Sequence, residues 1–141
     1  MEDLMNSITP RVSIAPYAGA SDNTAHVGAI IDRQGYESLT YLITTGVLSD
    51  ADATFTVLLE DGEDPALADA ATVTSAGLLG TAALASFTFA DDNKSFKLGY
   101  VGEKRYTRLT ITPANNTGAH FFSAVAVLGE PALCPTVNPP V

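Results

Sequence analysis

The side chains of this 141-residue chain that could do chemistry are two histidines, one cysteine and seven carboxylates between Asp50 and Asp69. A metal site on a β fold needs two or three clustered histidines with a carboxylate. His26 and His120 lie far apart in the sequence, each without a neighbouring His or Cys, and read as structural residues at strand ends. The lone Cys134 excludes an internal disulfide framework and a cysteine-based zinc site. The acids of "SDAD" and "EDGED" lack the alternating D-x-[DN]-x-[DN]-G spacing of an EF-hand and occupy places where turns are needed, so they read as solvated turns. No G-x-S-x-G elbow and no phosphate-loop spacing occurs. The absence of Trp removes the usual aromatic platform of a sugar site. No catalytic constellation, metal or cofactor is expected.

The remaining chemical signal is cationic. Five of the seven Lys and Arg residues lie between Lys94 and Arg108, in a chain of formal net charge −9. In "YVGEKRYTRLTI" strand alternation puts Arg105, Thr107, Leu109 and Ile111 on one face, with Tyr106, Arg108 and Thr110 on the other. Leu109 and Ile111 belong in a core, so Tyr106, Arg108 and Thr110 are expected to point outward, with Lys104 beside them. Arg next to Tyr on an exposed strand is an interface composition. Two readings stand: pairing with acids of the chain's own loops, or docking on an acidic neighbour. The candidate interface residues are Lys104, Arg105, Tyr106 and Arg108, with Arg11 and Tyr17 from the N-terminal segment.

The elements that must position these residues read as β throughout. Leu39, Tyr41 and Ile43 alternate with Ser38, Thr40, Leu42 and Thr44 between Glu37 and Thr45, and Phe55, Val57 and Leu59 line one face of the next strand. A strand near Val27 to Asp32 ends in the "DRQG" turn, and "EDGEDP" carries Asp-Gly turn chemistry. Residues 66–85 combine Ala and Leu with Gly77, Gly80 and β-branched residues, and predict a long connection with one short helical turn at most. "SFTFA" and "SFKLGYVG" are two further strands. "HFFSAVAVLG" is apolar on both faces and predicts a central strand.

About eight short strands in a chain of this length predict an all-β fold: a single-domain antiparallel β-sandwich, jelly-roll or Greek-key, with extended N- and C-terminal arms. The boundaries are 1–24 for the N-terminal arm, 25–130 for the sandwich and 131–141 for the Pro-rich tail. A short edge strand near Val12 to Ile14 is allowed within the arm.

Charged residues make up 16% of the chain, below the usual share of about 25%. With many Thr and Ala left for outward positions, part of the surface is expected to be covered by something. The net charge disfavours nucleic acid and anionic membrane as partners. The acidic start lacks the apolar core of a secretory signal, so cytosolic synthesis is expected.

The ordered phrases "IDRQGYESLTYLITTGVLSDADATFTVLLEDGED", "SFKLGYVGEKRYTRLTITPANNTGA" and "AVAVLGEP", from about Ile31 to Pro131, resemble small proteins of tailed bacteriophages that occur beside the major capsid protein, the head decoration (cement) type. The resemblance implies a non-enzymatic virion protein on the capsid surface, with the major capsid protein as partner and no cofactor. A homo-oligomer, favoured as a trimer, would place the cations of one subunit against the acidic loops of the next. A tail, neck or fibre-base protein and a host-surface glycan-binding sandwich are the alternatives.

Overall fold

Alternating apolar residues give each long strand one face that must leave water, and a computed structural model describing residues 3–140 shows how the strands share that burial. In chain order the first strands are β1 (Ile8–Ile14), β2 (His26–Val27), β3 (Ile31–Asp32), β4 (Tyr36–Leu48) and β5 (Thr54–Gly62). They are followed by β6 (Ala71–Thr72), β7 (Leu78–Leu79), β8 (Phe87–Thr88), β9 (Ser95–Tyr100), β10 (Tyr106–Ala114) and β11 (His120–Pro131). One sheet has the order β1-β11-β4-β9-β7. The other has β2-β10-β5-β6, with β3 also on β10 and β8 also on β5. All these pairings are antiparallel. From β4 onward successive long strands alternate between the sheets, and the first and last strands pair. This is the strand order of a jelly roll, two Greek keys wound into a sandwich.

The core lies between the sheets. Leu39, Tyr41 and Ile43 of β4, Leu98 of β9 and Ala124, Ala126 and Leu128 of β11 face Phe55, Val57 and Leu59 of β5 and Leu109 and Ile111 of β10. At roughly 1.5–3 kcal/mol for each large apolar side chain buried, this layer dominates the fold's stability. One polar bond crosses it: the Tyr41 hydroxyl and Thr107 Oγ1 lie 2.6 Å apart, joining the two sheets where both groups are buried.

Several expectations are sharpened. The strand read near Val27 to Asp32 is two short pieces, β2 and β3. Between them the Gly28 amide donates to the Leu109 carbonyl and the Ala29 amide to that of Ser13. A Cβ at Gly28 would lie 2.5 Å from the Leu109 oxygen, so the close approach needs glycine. The "DRQG" turn closes with the Tyr36 amide on the Arg33 carbonyl, and Gly35 takes a positive φ of 89°. Residues 66–85 are a connection with the short strands β6 and β7 and two helical turns where at most one was expected: a 3-10 turn over Ser75–Gly77 and α1 (Ala82–Ala85), whose N-cap Thr81 accepts from the Leu84 amide.

The N-terminal segment is more ordered than an arm. Ile8–Ile14 is a full edge strand on β11, longer than the short piece expected, with Thr9, Ser13 and Ile14 buried. Pro10 is tolerated there because an edge strand has one side without a ladder partner. The C-terminal tail is extended but docked. The Thr136 amide donates to the Asn6 carbonyl, Thr136 Oγ1 to that of Ile8, and the Ala132 amide to that of Gly35.

Candidate functional site

The cationic stretch sits where the β9–β10 connection enters β10, and its guanidinium groups are already engaged. Arg105 donates from Nε and Nη2 to both carboxylate oxygens of Asp32, each at 2.9 Å. Cross-strand register sets the second pair: Arg108 lies opposite Glu60 on β5 and its Nη2 reaches Glu60 Oε1 at 3.2 Å. Lys104 Nζ stands 3.8 Å from Glu63. Arg33 binds the carbonyls of Lys104 and Gly102 and lies over the Tyr100 ring, 5.6 Å from its centroid. The Tyr100 hydroxyl donates to Asp61 and accepts from the Lys104 amide.

These bonds set the local electrostatics. The Arg105 guanidinium holds the Asp32 carboxyl below its usual range, and Asp32 in turn raises Arg105. Burial first, and the neighbouring Asp61 second, push the Tyr100 phenol up, so it stays neutral and donates. The result is a neutralised knot. The expected outward placement of Tyr106 and Thr110 is corrected, since both are buried. For Tyr106 the reason is visible: the Arg105 guanidinium covers its ring at 5.0 Å from the centroid. The cations that would join a subunit ring to acidic loops of the next copy have intramolecular partners instead.

The other two candidates lie elsewhere. Arg11 is on β1 and its guanidinium contacts only the Pro10 carbonyl, at 3.4 Å. Tyr17 belongs to an aromatic cluster that brings together the two histidines separated in sequence. Its hydroxyl is 2.6 Å from Nδ1 of His120, its ring packs on His26 at 4.6 Å, and the two imidazole centroids are 5.3 Å apart. Phe122 and Phe55 close the cluster. An antiparallel bridge between Ala20 and His120 holds the loop there, a long-range contact with no local sequence signal.

Burial pushes both imidazoles down in pKa. His120 adds to the effect on His26, and Asp22 opposes it at both rings. The buried Nε2 of His120 has no hydrogen-bond partner. The acidic turns are likewise occupied by the backbone. Asp50 accepts from the Thr117 amide and hydroxyl, and Asp69 from the amides of Glu63 and Asp64. Among the described residues no group of three or more His, Cys, Asp or Glu is gathered as a metal ion requires.

Two apolar surfaces went unread in the sequence. The termini enclose a groove of about 370 Å³ lined by Leu4, Met5, Ile8, Pro10, Thr136 and Val137. Leu4, Met5 and Val137 are well exposed within it. The second surface is the outer face of the β1-β11-β4-β9-β7 sheet. One row across it runs Val12, Val125, Leu42, Lys97, and the next runs Pro10, Val127, Thr40, Gly99, Leu79. Its long-strand neighbours at either end are Ser38, Thr44 and Ser123. No carboxylate stands on this face. The only acids in these strands, Glu37 and Glu130, fall on the other parity at one end of the sheet.

The chain matches no protein family model. No curated protein matches it either.

Proposed function

We propose that this chain is a non-enzymatic structural protein of a tailed-phage head, a decoration protein that binds the outer shell and stabilises contacts between capsomers. The observation that carries the reading is the surface built by the two termini. Leu4 and Met5 are 68% and 63% exposed in one groove with Val137 at 64%, on a protein in which Asp50, Asp69, Arg105 and Arg108 are tied into turns and ion pairs. Exposed apolar side chains gathered in one place favour a protein contact. Both segments that make the surface are anchored to the sandwich through β1 and Thr136, so little ordering entropy is lost on docking. A jelly roll whose edge strands are short, apart from β1 with its Pro10, suits a part that must stay soluble before assembly. The resemblance of the phrases between Ile31 and Pro131 to decoration proteins points to the same reading. Fold alone carries no function, so the weight rests on the terminal surface and those phrases.

The test is addition of purified protein to heads lacking it, followed by quantitative mass spectrometry of the particles. Hundreds of copies per head are expected, with binding reduced at least tenfold by Leu4→Asp combined with Val137→Asp. A handful of copies points to a tail or neck part, and no binding contradicts the proposal.

A further inference from the structure

We propose that the outer face of the β1-β11-β4-β9-β7 sheet is a self-association surface, and that its occupant is the same face of a second copy of this chain. The sequence of β11 predicts burial on both sides, because Val125 and Val127 are as apolar as the inward Ala124 and Ala126. Only the inner side is buried in the single chain: Val125 and Val127 remain partly exposed, and Leu42, beside Val125 in its row, is 42% exposed. A central strand with an apolar outward face has a layer missing.

Charge selects the occupant. Each copy carries a formal net charge of −9, so most approaches between two copies set carboxylates against carboxylates. This face carries none, and like-for-like apposition keeps the acids of both copies away from the contact. Lys97 is its single cation and stands at one end of the row that starts at Val12. Among the described residues no ion pair engages it, whereas Lys94, Lys104, Arg105 and Arg108 all have carboxylate partners. A two-fold axis between Val125 and Leu42 lays the aliphatic stem of Lys97 towards Val12 of the other copy and holds the two ammonium groups at opposite margins. Gly99 makes the face continuous, because a Cβ there would lie 2.8 Å from that of Leu79 and lift β7 away.

The size of the contact sets its strength. Five strands at about 4.8 Å spacing and seven residues at about 3.3 Å give a projected face of roughly 450 Å² per copy. That is small beside the standard interface of about 800 Å² per partner, so the dimer is concentration-dependent.

The experiment is sedimentation velocity with light scattering on the purified full chain, from about 5 to 500 µM. It needs no phage head, so its outcome is separate from that of shell binding. The expected result is a monomer passing to a dimer across this range. Leu42→Glu and, independently, Thr40→Glu should weaken the dimer at least tenfold while circular dichroism shows an unchanged fold. Arg108→Glu should leave it intact. A monomer throughout, a trimeric mass, or a dimer that survives both folded variants would overturn the proposal. So would loss of head binding by Leu42→Glu in a protein that is monomeric at every concentration, because the shell would then be the occupant.

Discussion

Arg108 on β10 looks across to Glu60 on β5, and the two side chains meet; Leu42 on β4 lies between Val125 and Lys97 in a row with no acid. Both are outward positions on central strands of the same sandwich. The first sheet presents charges that cancel within the chain, while the second presents apolar groups that nothing in the chain covers. Concentrated cations attract attention in a sequence, yet ion pairs at a surface contribute little and leave little free charge for a partner. The plain valines and threonines of β11 and β4 make the more consequential surface.

The largest contrast expected lies between neighbours on β4. Ile43→Ala removes a fully buried side chain and should cost about 2–5 kcal/mol in urea unfolding. Leu42→Ala, one residue away on the open face, should change stability by no more than about 0.5 kcal/mol. Similar losses at both positions would show that the outer face is already packed in the monomer. Tyr41→Phe comes next. It strands the Thr107 hydroxyl in the core and should cost about 1–3 kcal/mol, again by urea unfolding. Arg108→Ala should cost about 1 kcal/mol or less, shrinking as salt is raised, without altering self-association.

A pH slope sharpens the picture at the edge of the open sheet. Burial holds the folded-state pKa values of His26 and His120 below the ordinary imidazole value of about 6.5, so the unfolded chain binds more protons in that region. Their contribution is therefore fully present above about pH 6.5 and declines as the pH falls below it. Asp32 and Asp91, also held below their usual range, lose their contributions only below about pH 4. The melting temperature should therefore start to fall between pH 6.5 and 5, and His120→Phe should flatten that part of the curve. An unchanged slope in the variant would mean that the imidazole is not shielded by Tyr17, Phe122 and the loop bearing Asp22.

Much of the fold was legible because burial writes a period of two. Leu39, Tyr41 and Ile43, then Phe55, Val57 and Leu59, then Leu109 and Ile111, all fall on the inner faces that alternation assigned. The long connection was readable from Gly77, Gly80 and the Ala run, although it holds a 3-10 turn at Ser75–Gly77 besides the one helical turn expected. What escaped was set by contacts distant in sequence. The partner of Arg105 is Asp32, and Tyr106 is buried by a guanidinium rather than by an apolar neighbour. Tyr17, His26 and His120 meet only because the jelly roll returns β11 beside the first loop. The apolar outer face of β11 was visible as composition, but alternation cannot say whether a second layer lies within the chain or outside it.

Amine-reactive footprinting at low and high protein concentration, read lysine by lysine, tests the central claim most directly, because it compares the two regions in one sample. The account predicts that labelling of Lys97, on the face without carboxylates, falls as the concentration rises from about 5 to 500 µM, while Lys104 at the ion-paired end labels equally throughout. Protection of Lys104 with Lys97 unchanged would contradict it and return the contact to the cationic strand.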